Sequence, residues 1–255
     1  TNCVDAGKGK CASKDGTTCI GFTDAGRGAI ATIKCLDGTY SSSETSSSCT
    51  LIPAGYYGVD ANSQYSTSGG AVNILVCAKG TYNKNGVGEC TNVLAGSCPI
   101  YNEQCITSSG GPNSDGKGAT DTALCAVGKY QSSANQDDCI CATAGSYVMS
   151  LGEIVQIDCP AGSYQGSTCA TSCDIAATGF FAADTDNLYT NSRAIKAVQC
   201  SNNTYKLASG AGECQPCVNT DGNCGGISAG NCLAGYGRKN VNDNCVACAT
   251  GKYKS

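Results

Sequence analysis

The sequence of 255 residues contains no histidine, no tryptophan and a single methionine. Histidine is the side chain that most often serves as a general base near neutral pH and as a nitrogen ligand for metals. Its absence excludes Ser–His and Cys–His nucleophile pairs, and no two carboxylates are spaced as a glycosidase would need them. The sequence therefore offers no catalytic residue, and we expect a protein that is not an enzyme and has no cofactor.

Large apolar residues are also scarce. Leu, Ile, Val and Phe make up 38 of the 255 residues, about 15%, which is below the roughly 20% that a self-sufficient core usually needs. The longest strictly aliphatic run, Ile74-Leu75-Val76, is far shorter than the about 20 residues that cross a bilayer. The net charge is −4 and no basic run exceeds Arg238-Lys239, so we expect no nucleic-acid partner.

Cysteine is the abundant residue, with 22 copies. This density is typical of extracellular disulfide scaffolds, in which cross-links that restrict the unfolded chain compensate for a small core. The number is even, so up to eleven bridges can form. The sequence opens on Thr1 without an apolar leader, which we interpret as a mature terminus after removal of a signal peptide or as the boundary of a fragment.

A short motif, Cys-x-x-Gly-x-Tyr, repeats along the chain. It begins at Cys35, Cys77, Cys125, Cys159 and Cys248, and a sixth copy at Cys200 has Asn203 in the glycine position. Another cysteine follows most copies at a similar spacing, which favours local disulfides. The predicted pairs are Cys35 with Cys49, Cys77 with Cys90, Cys125 with Cys139, Cys159 with Cys169, and Cys200 with Cys214.

Two kinds of module alternate around these motifs, one with closely spaced cysteines and one with a glycine–aromatic pair such as Gly55-Tyr56-Tyr57. The predicted modules are 1–48 (cysteine-rich), 49–89 (glycine–aromatic), 90–140 (cysteine-rich), 141–172 (short glycine–aromatic), 173–213 (glycine–aromatic) and 214–255 (cysteine-rich). Segments such as 28–35 and 71–77 are typical of short strands, and no helical periodicity is sustained. We predict a small disulfide-rich, mainly β and irregular fold: an elongated tandem array of short β-hairpin modules stapled by disulfides.

Several residues have a second interpretation as ligands. The pairs Cys214/Cys217 and Cys245/Cys248 have the spacing of zinc knuckles, although disulfides explain the other cysteines better. Asp137-Asp138 and Asp184 with Asp186 are candidates for calcium ligands or for solvated loop acids. Thirteen of the sixteen aromatic residues are tyrosine, which suits either a carbohydrate-stacking surface or miniature cores that cover the disulfides.

Two residues are candidates for modification. Asn202 begins the sequon Asn202-Asn203-Thr204, and we expect a glycan there to point outward from a turn. Ser255 is a small residue of the kind to which a lipid anchor is attached after cleavage of an anchor signal. An ordinary chain end is the alternative at Ser255.

The repeats resemble those of the immobilisation antigens of ciliates. The residues that carry the resemblance are Cys159-Pro160-Ala161-Gly162-Ser163-Tyr164, Pro53-Ala54-Gly55-Tyr56-Tyr57, Cys214-Gln215-Pro216-Cys217 and the spacers rich in Ala, Gly, Ser and Thr. The motif is also similar to the cysteine-rich repeats of tumour necrosis factor receptors and ephrin-receptor-like regions. Cys139-x-Cys141 and Cys169-x3-Cys173 depart from the Cys-x2-Cys pattern of these families.

The resemblance to immobilisation antigens implies a non-enzymatic, antigenic coat protein on the plasma and ciliary membranes, held to the outer leaflet by a glycosylphosphatidylinositol anchor. A receptor-like ectodomain that binds a protein or glycan is the alternative from another class. A subunit that self-associates into an extracellular filament is a third.

Overall fold

The computed structural model describes residues 3–20, 28–106, 115–218, 220, 224–238, 240, 243–250 and 252. Within these ranges every regular element is a short β-strand and no helix occurs. The strands pair in antiparallel fashion with their neighbours along the chain, which gives twelve small separate sheets in the described part. The predicted fold class, a mainly β array of hairpins stapled by disulfides, is confirmed.

The chain forms two compact units. The first contains the described residues up to Cys125 together with Gln131–Cys139. Its strands are β1 (Lys10–Ser13), β2 (Ala31–Lys34), β3 (Thr39–Tyr40), β4 (Thr50–Leu51), β5 (Tyr56–Val59), β6 (Asn73–Val76), β7 (Thr81–Tyr82), β8 (Thr91–Asn92), β9 (Ser97–Tyr101), β10 (Gln104–Cys105) and β11 (Asp121–Leu124). Consecutive strands pair from β1 to β8, and β9 lies between β10 and β11.

The second unit contains Ala126–Tyr130 and the described residues from Ile140 onward. Its strands are β12 (Lys129–Tyr130), β13 (Ile140–Cys141), β14 (Ser146–Tyr147), β15 (Ile157–Asp158), β16 (Ser163–Tyr164), β17 (Asp174–Ile175), β18 (Phe180–Ala183), β19 (Lys196–Gln199), β20 (Thr204–Tyr205), β21 (Gln215–Pro216), β22 (Cys224–Gly225), β23 (Ser228–Ala229), β24 (Tyr236–Gly237) and β25 (Val246–Ala247). Each pairs with the next as a hairpin, from β12 with β13 to β24 with β25.

The strands predicted at 28–35 and 71–77 are present but shorter, as β2 and β6. Glycines in the left-handed region precede both: Gly28 has φ +73°, and Gly69 and Gly70 have φ +71° and +80°. Extended strands need negative φ, so each strand begins only after these residues. Strand length is thus limited by backbone conformation rather than by hydrophobic pattern.

Ten disulfides join described residues. Four of the predicted pairs are bonded: Cys35–Cys49, Cys77–Cys90, Cys125–Cys139 and Cys200–Cys214. The others are Cys11–Cys19, Cys98–Cys105, Cys141–Cys169, Cys159–Cys173, Cys217–Cys224 and Cys232–Cys245. The described hairpins of five motif copies are therefore each closed by a covalent bond, whereas β5/β6, β14/β15 and β18/β19 have no disulfide between their strands.

The predicted pair Cys159–Cys169 is wrong, because Cys159 bonds Cys173 and Cys169 bonds Cys141. Strand register gives the reason. In each motif hairpin the tyrosine pairs with the residue that directly follows the closing cysteine, as Tyr40 does with Thr50 and Tyr164 with Asp174. This register places Cys173 beside Cys159 and leaves Cys169 in the loop between them, where it bonds Cys141 of β13, in the preceding motif hairpin.

Two cysteines, Cys3 and Cys248, are free thiols in the structure, so it contains ten bridges rather than eleven. Cys248 opens a motif, and the bonded motif cysteines join a cysteine 13 or 14 residues further on. The sequence contains no cysteine after Cys248. Cys3 is exposed and Cys248 is half-buried.

Disulfides also cross four of the predicted module boundaries. Each of these bonds ends on the first residue of the next predicted module. They begin at Cys35, Cys77, Cys159 and Cys200. Each closing cysteine directly precedes the strand that completes the previous hairpin. Disulfides thus link the modules on either side of these four boundaries.

The motif glycine marks where one hairpin meets a neighbouring one. Gly128 has φ +82°, and a Cβ placed on it would lie 2.2 Å from the carbonyl oxygen of Cys169. Gly80 is similar, with the Asn135 carbonyl oxygen 2.1 Å from a Cβ position. The repeated glycine thus serves both the turn and the close approach of two backbones.

Replacing Gly128 with alanine is expected to destabilise the oxidised protein by at least about 3 kcal/mol, because left-handed strain adds to a backbone clash. Gly235→Ala is the matched control, since Gly235 has φ +81° and nothing within 4 Å of a Cβ position. Strain alone predicts about 1–2 kcal/mol for this variant. Denaturant unfolding without reductant measures the stability of both variants. Equal losses would contradict the idea that Gly128 is needed for the close approach of two backbones.

Thiol counting tests the bonding pattern. Alkylation of the native, unreduced protein is expected to add two groups, at Cys3 and Cys248, and alkylation after full reduction is expected to add 22. Intact mass and peptide mapping measure both numbers. Labelling at any of the other twenty cysteines before reduction would show that the pattern is wrong.

Candidate functional site

The residue after each motif tyrosine is polar and forms the interior of its hairpin loop. Ser41, Asn83, Gln131 and Lys206 occupy this position and are buried, and Gln165 is half-buried there. This feature was not predicted from the sequence. The signal was visible in the sequence, because the sixth residue after each motif cysteine is polar in every copy.

Asn83 shows what the buried side chain does. Its Nδ2 donates to the carbonyl oxygens of Val87 and Gly88 at 3.3 and 3.0 Å. Its Oδ1 accepts from the backbone N–H groups of Asn85 and Gly86 at 3.1 and 2.8 Å. One amide thus satisfies four backbone groups of the loop enclosed by Cys77–Cys90, and these groups would otherwise lose water without a replacement.

The same function recurs with other side chains. Gln131 donates to the carbonyl of Asp138 and accepts from the N–H of Ser133. Gln165 donates to the Ser172 carbonyl oxygen at 3.0 Å and accepts from the N–H of Ser167 at 2.9 Å. Each amide therefore holds the loop that precedes a closing cysteine.

Lys206 is the one cation at this position in the described hairpins. Its Nζ donates to the carbonyl oxygen of Gly210 at 2.6 Å, and burial lowers the pKa of this amine. A buried amine with a lowered pKa is a feature of some nucleophilic lysines. Here the equivalent positions carry Ser, Asn and Gln with the same loop contacts, so the position is structural.

Two of the acidic residues considered as calcium ligands accept hydrogen bonds from backbone, and a third lies beside a lysine. The Asp184 Oδ1 atom accepts from the N–H groups of Asp186 and Leu188, both at 2.9 Å. Asp138 accepts from the N–H of Cys139 at 2.7 Å, and Asp137 lies 3.6 Å from the Lys79 amine. These carboxylates shape loops and do not converge on a common point.

The cysteines considered as zinc ligands are separated by their bonds. Cys214, Cys217 and Cys245 belong to three different disulfides, so the two pairs do not form a zinc knuckle. Two groups of three sulfur atoms do lie within 4.8 Å of one another, namely Cys11, Cys19 and Cys49, and Cys98, Cys105 and Cys139. All six are bonded as disulfides and carry no thiolate for a metal.

The tyrosines do not form an exposed stacking platform in the described residues. The motif tyrosines Tyr40, Tyr82, Tyr130 and Tyr164 are half-buried and Tyr205 is 3% exposed. Their backbones join hairpins: Tyr40 bridges Ala71, Tyr82 bridges Ala119, Tyr164 bridges Ala194 and Tyr205 bridges Gly226, all in parallel. This position favours the miniature-core interpretation over carbohydrate stacking.

The two candidate modification sites differ in what the structure describes. Asn202 is exposed and lines an open cavity of about 730 Å³ beside Phe180 and Ile227. Thr204, which completes the sequon, donates its hydroxyl to the Ser201 carbonyl oxygen at 2.8 Å. Ser255, the candidate anchor residue, lies outside the described residues.

In the described ranges, no helix is long and apolar enough to cross a membrane. No model of a protein family matches the chain, and no curated protein is significantly similar to it. The ten disulfides are the feature that bears on location, and they are typical of an extracellular or secreted protein.

Replacing Asn83 with alanine is expected to cost about 2–3 kcal/mol of stability, because four loop groups lose their partner in a buried site. Asn85→Ala is the control: this neighbouring side chain is exposed and accepts a single bond, from the N–H of Val87 at 3.1 Å. A loss under about 1 kcal/mol is expected there. Urea unfolding of the oxidised proteins measures both changes, and similar losses would contradict the role given to Asn83.

Proposed function

We propose that this chain is a non-enzymatic extracellular surface-coat protein that forms a protective, antigenic layer on the cell body and cilia. The observation that carries the proposal is the repetition of one closed hairpin, with its disulfide, its glycine contact and its buried polar residue. Such repetition builds surface from many small loops. A coat needs resistant surface, and the repeated loops provide exposed polar residues for recognition by antibodies.

The short spacing between bonded cysteines supports a protective role. Most disulfides span 7 to 14 residues. Local opening exposes backbone to proteases, and a short covalent loop cannot open far. A protein built this way resists proteolysis without a large core, as a layer facing the medium must.

Attachment and modification complete the proposal. The coat would be held to the outer leaflet by a lipid anchor at Ser255 and would carry a glycan on Asn202. Self-association in the layer is part of the same proposal. None of these features requires a transmembrane helix, a metal or a cofactor.

A receptor-like or ligand-binding ectodomain is the second candidate, and one specific observation favours it. The loop between β14 and β15, together with the first residue of β15, exposes five large apolar side chains: Met149, Leu151, Ile154, Val155 and Ile157 are 41–62% exposed. The corresponding loops of the longer glycine–aromatic modules are polar. Clustered apolar surface is a feature of protein–protein contact sites.

Release by a phosphatidylinositol-specific phospholipase tests the coat proposal. Treatment of intact cells that produce the protein is expected to move most of it from the cell pellet to the medium, because a lipid anchor would be its only link to the membrane. Immunoblotting of pellet and medium measures the change. Buffer without enzyme is the control for shedding.

Two results would contradict the proposal. Protein found in the medium before treatment would favour a secreted ligand binder. Protein that stays with the pellet after treatment, while another anchored protein is released, would favour a different mode of attachment.

A further inference from the structure

Three lysines of the first unit lie around one cavity. Lys8, Lys10 and Lys34 line a space of about 300 Å³, whose opposite wall is the loop from Tyr65 to Gly70. Lys10 and Lys34 are direct cross-strand partners in β1 and β2. Like charges placed opposite one another destabilise an antiparallel pair, so this arrangement needs a compensating anion more than the others on the surface.

Within the described residues, no ion pair includes Lys8, Lys10 or Lys34. The ion pairs there join Lys79 with Asp137, Lys84 with Asp121, Lys117 with Asp115 and Arg193 with Asp158. The cavity has one acid in its lining, Asp60. Its Oδ1 atom already accepts from the N–H groups of Asn62 and Gln64 at 2.8 and 3.0 Å.

The walls of the cavity are fixed by backbone contacts. Gly70 donates its N–H to the Cys35 carbonyl oxygen at 2.6 Å, and Cys35 donates its own to Gly9 at 2.9 Å. A Cβ on Gly9 would lie 2.2 Å from the Gly70 carbonyl oxygen. The lysines thus face a rigid wall that supplies the hydroxyls of Thr67 and Ser68.

We propose that this cavity binds a tetrahedral oxyanion, a sulfate or phosphate ester carried by a small polar molecule such as a monosaccharide. Three lysines against the one carboxylate of Asp60 give the lining an excess of positive charge that suits such an ester, and the neighbouring hydroxyls suit its polar carrier. The cavity is large enough for one small ester group and too small to hold a polymer chain. The inference concerns unit one alone and does not depend on the coat proposal.

This site cannot be recognised in the sequence, because its lysines are distant from one another along the chain. Lys8 and Lys10 precede the Cys11–Cys19 disulfide, whereas Lys34 precedes Cys35. Pairing of β1 with β2 brings them together, and the loop of the next hairpin closes the far side. A protein with a net charge of −4 thus concentrates positive charge at one place.

Titration of the oxidised protein with glucosamine 6-sulfate and glucose 6-phosphate tests the proposal, followed by NMR chemical shifts and calorimetry. Exposed charge pairs are individually weak, so a Kd in about the millimolar range is expected. Raising the salt concentration should weaken binding further. Glucose, which lacks the ester, should not bind.

The variant K10Q/K34Q is expected to bind about tenfold more weakly. The control K79Q/K84Q removes the same charge from the same unit, but from lysines that have acidic partners, and it should bind within about twofold of the parent. Both variants change exposed residues, and their disulfide content is checked by intact mass. Binding of only one ester would assign that ester to the site.

Three results would overturn the proposal: no binding of either ester, equal binding of glucose, or equal weakening in the two variants. Equal weakening would show that the esters respond to the net charge of the protein and not to a defined site. Shifted resonances located away from Gly69 and Gly70 would also place the ligand elsewhere.

Discussion

The rest of the structure depends on the disulfide that joins each motif cysteine to a cysteine 13 or 14 residues further on. A two-stranded sheet with only two residues per strand has too few hydrogen bonds to persist in water. The covalent bond fixes the ends of the loop and holds the two strands in register. In this register the tyrosine backbone faces the next hairpin and the following side chain faces the loop interior. Pairing within and between hairpins therefore depends on this bond.

The buried residues are consistent with this hierarchy. They are mostly Cys, Ala and Val, with few large side chains, so apolar burial contributes little per hairpin. Hydrogen bonds and close contacts of the backbone stabilise the hairpins instead. Glycine allows two main chains to approach, parallel bridges join Tyr40 with Ala71 and Tyr82 with Ala119, and a buried amide such as that of Asn83 satisfies the loop. Polar groups in so small a core are tolerable only because each has a partner.

The sequence was sufficient for the fold class and for most motif bridges, because cysteine spacing and the Gly and Tyr positions are local signals. At Cys159 the prediction of the nearer Cys169 is wrong, although the spacing of the other motif bridges points to Cys173, which lies 14 residues after Cys159. The cluster of Lys8, Lys10 and Lys34, in contrast, was invisible in the sequence, since it arises from cross-strand pairing and from a loop of another hairpin. Contacts between hairpins are not encoded in any single repeat.

These properties bear on how such a chain can change over time. Because a hairpin is specified by its cysteines, its glycine and one buried polar residue, the remaining loop positions are free to vary at little cost in stability. The β14/β15 hairpin, which has no disulfide of its own, shows that loops vary there as well: its loop is apolar where the equivalent loops are polar, yet β14 and β15 keep their pairing. An architecture that separates what holds the fold from what faces the medium suits a surface whose exposed residues vary while its scaffold stays the same. The same separation allows a binding surface, such as the lysine cavity between β1/β2 and the loop of the β5/β6 hairpin, to arise without a change to the other hairpins.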